Sequence, residues 1–327
     1  MKRVALPLLQ CSICRTGRPD LGVHDAMVDG DEIVTGELVC DRGHRFPIVD
    51  GIPDFVSGRE PVGDDSPTYD TMWRMHQRQN YPSRLADIER KFQRFANLPG
   101  PLDTYIKDKF VLDGGCGEGR FTYLASALGA RHVIAIDYAR YALERARIQS
   151  GTPANCTFIR ASVLNPPLAP QVFDLVFSMG VVHHTPDSEK SYQALRATLK
   201  TGGYLAIYVY RRLSLPLAVW PLRLVTRRMS IGRVKALSQF FGWHYDPDIA
   251  PTISIGGLGR RLGRWDLLGL GHVSFEGLST PYLREHSRGE VIRWFQRTQM
   301  KVLSATHLVS VSGQAMASWP PPQTHQS

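Results

Sequence analysis

The sequence is poor in cysteine, with five among 327 residues, too few and too scattered for a disulfide-stapled secreted domain. It also lacks any run near the roughly 18 consecutive apolar residues that a membrane-spanning helix needs. After Met1-Lys2-Arg3 comes only a short apolar stretch, Val4 to Leu9, too brief for a signal peptide. Neither extreme charge nor a shortage of apolar residues is found, at 21% and 43% respectively, which excludes wholesale disorder and collagen-like or coiled-coil chains. The expectation is a cytoplasmic globular enzyme, long enough for two domains at roughly 100–200 residues each.

The net charge of +9 is unevenly spread. Residues 1–60 hold seven basic groups against ten acidic ones, whereas residues 211–264 hold ten basic groups against Asp246 and Asp248 alone. The basicity is therefore a local feature of one segment.

Turn signals such as Asp29-Gly30-Asp31 and Asp50-Gly51 break residues 1–57 into short apolar runs, the pattern of a small β-rich module with little core of its own. Residues 58–68 are polar with Gly and Pro and read as a linker, and Tyr69 to Phe95 has helical periodicity. From Phe110 onward strand-length apolar runs alternate with helical segments: strands at 110–113, 132–137, 156–160, 173–179 and 204–210, helices at 120–128, 140–149 and 188–199. That alternation predicts an α/β fold, a doubly wound, mostly parallel Rossmann-like sheet, with ligands at the carboxyl ends of its strands. Residues 211–280 break the rhythm and read as a helical lid insertion. A helix at 287–296 and a final strand at 302–311 complete a domain spanning 69–313, and residues 314–327 read as a disordered tail.

The chemistry is concentrated at one predicted strand-to-helix turn, Val111-Leu112-Asp113-Gly114-Gly115-Cys116-Gly117-Glu118-Gly119-Arg120-Phe121. Its glycines permit a tight turn and close backbone approach, and the following helix offers free N–H groups. Asp137 ends the next strand, where a carboxylate can accept both ribose hydroxyls of an adenosine. Arg120 occupies the third-glycine position of a dinucleotide fingerprint, and Asp113 places a negative charge that would repel a pyrophosphate. A cofactor with a cationic methionyl moiety, S-adenosylmethionine, fits better. Asn165-Pro166-Pro167-Leu168 precedes the fourth strand and lacks a base-stacking aromatic, so it reads as a turn. His183 and His184 follow that strand, where a histidine can act as a general base; the alternative is a pair that only packs.

Taken in order, D-G-G-C-G-E-G-R-F, A-I-D-Y-A, F-D-L-V-F-S-M-G-V-V-H-H-T-P-D and L-K-T-G-G-Y-L-A-I resemble the motifs of class I S-adenosylmethionine-dependent methyltransferases across residues 105–210. The resemblance implies that Gly115, Gly117 and Gly119 frame the methionyl part, that Asp137 holds the ribose and that Tyr138 flanks the adenine. Ser178 and Met179 would line the sulfonium end. Ser162, followed by Val163, stands where the family usually has an aspartate accepting the adenine amino group. The segment Pro281 to Phe295 is similar to the one before the last strands of methyltransferases acting on small molecules and glycans, which puts Tyr282, Arg284 and His286 toward the acceptor.

Cys11-x2-Cys14 and Cys40-x3-His44 supply four ligands in two knuckles, suited to a closed, structural tetrahedral zinc site; the alternative is four residues that are simply buried. The surrounding module resembles the zinc-ribbon activator of tRNA and translation-factor methyltransferases and the zinc domain of 23S rRNA guanine methyltransferases. Three readings follow: a methyltransferase for a small molecule or a glycan/lipid-linked acceptor, an RNA methyltransferase, and a non-catalytic cofactor-binding scaffold. The sequence leaves the acceptor atom and the oligomeric state open.

Overall fold

The computed structural model describes residues 1–14, 20–57, 66–75, 81–151, 153–212, 219–240, 278–307, 309–317 and 319. The remainder of the linker, the lid stretches 213–218 and 241–277, and most of the 314–327 tail lie outside the described residues.

Strands β1 (Leu21–Asp29), β2 (Glu32–Cys40), β3 (Arg45–Val49) and β4 (Ile52–Pro53) form an antiparallel four-stranded sheet in chain order. Helix α1 (Ser66–Met75) follows, so the helical region begins inside the stretch read as linker, and a 3-10 turn at Pro82–Arg84 leads into α2 (Leu85–Ala96). A single turn, α3 (Asp103–Ile106), leads into the larger sheet.

That sheet is built from β5 (Phe110–Gly114), β6 (His132–Asp137), β7 (Cys156–Arg160), β8 (Phe173–Met179) and β9 (Leu199–Tyr208), with α4 (Arg120–Ala127), α5 (Arg140–Gln149) and α6 (Ser188–Ala197) between strands. In the lid region α7 (Val219–Thr226) and α8 (Ile231–Phe240) are helical, and α9 (Arg288–Arg297) precedes β10 (Met300–Ala305) and β11 (Ser310–Ala315). The order across the sheet is β10-β11-β9-β8-β5-β6-β7. Pairs from β9 to β7 are parallel, and β10 and β11 add an antiparallel hairpin.

Two expectations need correction here. The apolar stretch 302–311 is not one strand but two, turned at Thr306–Val309, where Val309 takes a left-handed φ of 56°. Gln314 and Ala315, read as tail, belong to β11, which pairs with β9 through Gln314 and Tyr204.

Strands covered on both faces read as nearly continuous apolar runs. Val111, Val133, Phe158 and Leu175 point to one face and pack with Phe92 of α2 and Phe121 and Leu124 of α4. Leu112, Ile134, Ile159 and Val176 point to the other, with Tyr192 and Leu195 of α6 and Trp294 and Phe295 of α9. The crossover from β7 to β8 contains no helix. The amino-terminal module takes that place: Leu9 bridges to Leu168, Phe46 and Ile48 join the same core, and Phe55 N–H donates to the Arg160 carbonyl at 2.9 Å. The Asp54 carboxylate meets the Arg160 guanidinium at 3.1 Å, so the module is fastened along the edge strand β7. The Asn165-Pro166-Pro167-Leu168 turn lies in this seam, the Pro167 carbonyl accepting from Gln10 N–H at 3.0 Å.

Candidate active site and metal centre

The parallel order reverses direction at β5, which has β6 on one side and β8 on the other, and open α/β sheets bind ligands at that switch point. The glycine loop leaves β5 there. Gly115 and Cys116 N–H groups both donate to the Ile136 carbonyl, at 2.8 and 3.0 Å, which folds the loop back over β6. Asp137, at the end of β6, accepts from Gly117 N–H at 2.8 Å and from Ala139 N–H at 2.9 Å. The acidic strand end and the glycine loop expected from the sequence are thus one hydrogen-bonded unit. Asp113 is buried and accepts from the Thr122 hydroxyl at 2.7 Å. Burial holds Asp113 up to about 7 and Asp137 up to about 6. Two carboxyls whose charged form is disfavoured chiefly by burial suit a cationic ligand, which would favour that form again.

The glycines have neighbours that explain them. A Cβ on Gly115 would lie 2.4 Å from Val181 Cγ1, and one on Gly117, at φ 53°, would lie 2.5 Å from Trp73 Cζ2. Trp73, from α1, therefore roofs the loop. The roof is tied to α5, because the Trp73 carbonyl accepts from Arg145 Nη1 at 2.7 Å and Asp70 accepts from Tyr141 N–H at 3.1 Å. Arg145 also forms a buried ion pair with Glu118 of the loop at 2.7 Å. The Tyr81 hydroxyl donates to the Glu118 carbonyl at 2.8 Å. Sequence reasoning passed over Trp73, Tyr81, Glu118 and Arg145 as site residues; the only signal for Trp73 was its place in the helical pattern at 69–95.

Other predicted cofactor residues fall around this unit with differing roles. Tyr138 follows Asp137, and its carbonyl accepts from Arg160 Nε at 3.1 Å. Ser162 is half-buried and its hydroxyl accepts from Leu164 N–H at 3.2 Å, a local turn contact, while Val163 is buried. Ser178 is wholly buried and donates to the Gly114 carbonyl at 2.7 Å, which locks β8 to β5; Met179 is half-buried beside it.

Beyond β8, His183 and His184 sit on a 3-10 turn (Val182–His184) with their rings 4.1 Å apart. The His183 ring also lies 4.1 Å from that of Tyr210, just past β9, and Tyr69 of α1 meets His184 edge-on at 5.9 Å. His183 is fully buried, and neither ring nitrogen has a hydrogen-bond partner among the described residues. Burial, reinforced by His184 and His286, pushes its pKa well below the ordinary histidine value, so the ring is neutral.

The structure brings the segment expected to face the acceptor against this pair. The Tyr282 carbonyl lies 3.2 Å from His184 Nδ1, Arg284 N–H donates to the His183 carbonyl at 3.0 Å, and the Arg284 guanidinium donates to the Pro186 carbonyl at 2.6 Å. His286 is buried, with Nδ1 2.8 Å from Glu290 Oε1 and Nε2 3.0 Å from Ser188 Oγ. Both of its nitrogens are engaged in joining α9 to α6, where Ser287 and Glu290 form a capping box.

At the other end of the chain Cys11, Cys14, Cys40 and His44 converge, their ligand atoms all within 4.8 Å of one another. His44 Nδ1 lies 3.5 Å from Cys11 Sγ and 3.4 Å from those of Cys14 and Cys40. Tetrahedral zinc with ordinary Zn–S and Zn–N lengths sets that edge at about 3.6 Å, so the residues fit the ion.

Sheet order, glycine loop and acidic strand end together fit a Rossmann-like methyltransferase fold. Residues 112–207 match the methyltransferase domain family. That stretch is similar to the methyltransferase domain in sequence and builds the parallel sheet with its glycine loop and acidic strand end. A tRNA U34 carboxymethyltransferase of Ruthia magnifica subsp. Calyptogena magnifica is 35% identical over 105 residues, 31% of this chain and 33% of that protein. A Mus musculus protein named probable tRNA methyltransferase 9B is 33% identical over 103 residues, 31% of this chain and 21% of its own. The chain thus spans a third or less of the length of these two relatives. A solved S-adenosylmethionine-dependent methyltransferase from Mesorhizobium loti superposes with a TM-score of 0.42 at 20% identity, over 69% of this chain and 97% of that one. No helix among the described residues is long and apolar enough to cross a membrane.

Proposed function

We propose that this chain moves a methyl group from S-adenosylmethionine to an O, N or C nucleophile of a small molecule or a glycan/lipid-linked acceptor. The observation that carries the reading is the loop unit, in which Asp137 is hydrogen-bonded to Gly117 and Asp113 is buried beneath the same turn. The cofactor supplies an electrophilic methyl on a sulfonium. Asp137 would hold the ribose, Tyr138 would flank the adenine with Ser162 and Val163 beside it, and Gly115, Gly117 and Gly119 would admit the methionyl part. Met179 would stand nearest the sulfonium, with Ser178 fixing the strand behind it.

On the acceptor side Tyr210, His183, His184 and Tyr69 form a wall of rings with no carboxylate among them. His183 is neutral, but the burial that keeps it so makes it a weak base, so in this reading the histidine pair and the residues around it act by aligning the acceptor with the methyl group. Tyr282 and Arg284 would border the acceptor, and His286 would position their segment. Cys11, Cys14, Cys40 and His44 would hold zinc as a structural ion.

RNA as acceptor is favoured by the tRNA-modifying names of the relatives, and disfavoured by the net negative charge of residues 1–60, the part that would grip RNA in a zinc-module enzyme. One experiment separates the readings. The protein is incubated with methyl-tritiated S-adenosylmethionine and, separately, with lipid-plus-glycan extract, small-molecule extract and total RNA. Label in either of the first two supports the proposal, and label only in RNA replaces it with the second reading. Failure to bind S-adenosylmethionine by calorimetry removes both enzymatic readings.

A further inference from the structure

Helix α7 is amphipathic in an unusual sense: its exposed arc is its apolar one. Its inner side is tied down, with Arg223 Nη2 donating to the Thr280 carbonyl and the Thr226 hydroxyl to the Leu278 carbonyl, both at 2.8 Å. Leu222 packs against the small cluster of Met72, Val234 and Leu278, which joins α7 to α1 and α8. At 100° per residue the opposite arc of α7 runs through Trp220, Leu224, Pro221 and Val225, and Arg227 and Arg228 follow in the turn that closes the helix, the Arg228 guanidinium donating to the Leu224 carbonyl at 2.7 Å. Trp220 is 39% exposed, Leu224 63% and Val225 61%, and both arginines are exposed. From Arg211 to Tyr245 the sequence has seven basic residues and no acidic one.

We infer that this face of α7 docks the protein on an anionic lipid surface. Trp, Leu, Val and Pro along the exposed arc with two exposed arginines at its end is the arrangement of an interfacial helix, whose apolar side enters the headgroup boundary while the cations meet lipid phosphates. The charge is complementary to that occupant. Aliphatic Leu224 and Val225 at the centre of the patch favour lipid over RNA, which would want rings for its bases and cations for its phosphates. The inference goes beyond methyl transfer: it says where the chain works, and it holds or fails whatever the acceptor.

The test is flotation of the full-length protein, without cofactor, with vesicles of phosphatidylcholine alone and of phosphatidylcholine mixed with phosphatidylglycerol. Binding to the mixed vesicles only, weakened by salt, is expected. Arg227→Gln with Arg228→Gln should lower the partition coefficient by roughly 25-fold, about fivefold per arginine. Leu224→Ser with Val225→Ser should abolish flotation while the circular dichroism spectrum and S-adenosylmethionine affinity stay those of the parent. No flotation of the parent with either vesicle overturns the inference. So does flotation that the Leu224 and Val225 changes leave intact, or a patch that instead binds RNA or self-associates in solution and loses that behaviour in the same variants.

Discussion

Asp113 and Asp137 hold their protons to about pH 7 and about pH 6, where exposed carboxyls let go near 4. The folded-state values are raised, so the neutral acids stabilise the cofactor-free fold at about pH 4 and below, and that contribution is lost as the pH rises through 6 and 7. A cation in the cradle reverses the preference by favouring both carboxylates. Affinity for S-adenosylmethionine should therefore climb between about pH 5 and pH 7, at most by roughly tenfold per pH unit for each carboxyl that must ionise. Calorimetry near pH 6.5 in two buffers of different ionisation enthalpy should show protons released on binding, and Asp113→Asn should remove part of that release. Binding without proton release would show that the carboxyls are ionised beforehand. Gly117→Ala should be costly for a different reason: the new Cβ meets the Trp73 ring at 2.5 Å and sits at φ 53°. A loss of about 1–3 kcal/mol in chemical denaturation is expected, together with a change in tryptophan fluorescence that the same substitution in a Trp73→Phe background does not produce.

At the scale of elements, α1, α5 and the glycine loop act together because of one buried pair. Glu118 and Arg145 have side chains only 6% and 7% exposed. Arg145→Met leaves the Glu118 carboxyl without its counter-charge and should destabilise the chain by about 3–5 kcal/mol, with Glu118→Gln added to it restoring a substantial part in urea titrations. Additive losses from the two changes would mean the residues act separately. The same scale shows what the sequence discloses and what it hides. Strands β5 to β8 were legible because both of their faces are buried, which leaves nearly continuous apolar runs such as Val133 to Ile136. The start of β9 was hidden by Gly202 and Gly203, which read as a break; Gly203 in fact keeps the strand going where a Cβ would lie 2.8 Å from Leu199 Cδ1. The turn between β10 and β11 was hidden for the opposite reason, since a β-branched valine, Val309, adopts the left-handed conformation that glycine would have announced. In the site, Asp137 and the loop were legible because backbone geometry demands those residue types. Trp73, Tyr69 and Arg145 were not, because their roles arise from how α1 lies across α5, a tertiary contact without a local pattern.

For the whole molecule the telling feature is that the amino-terminal module and the methyltransferase sheet share one core. Leu9, Leu38, Phe46 and Ile48 pack in the same cluster as Ile134, Val176 and Leu205. Heat should therefore unfold the chain in a single cooperative transition. If Cys11, Cys14, Cys40 and His44 hold zinc, chelation should move that whole transition downward by about 5 °C or more, on a scale of about 1.5 °C per kcal/mol for a chain of 327 residues. Two separate transitions in scanning calorimetry, only the lower one responding to chelator, would contradict a shared core.

The shared core also has a consequence in time. The ribosome delivers residues 1–57 long before β7 and the 161–172 crossover against which they pack, at about 5–20 residues per second. Until then the module's apolar faces have nothing of this chain to lie on. A metal gripped by ligands no more than 33 residues apart in sequence, Cys11 to His44, would close the module early, and the nascent chain would wait with its first sheet already shaped for the edge strand still to come.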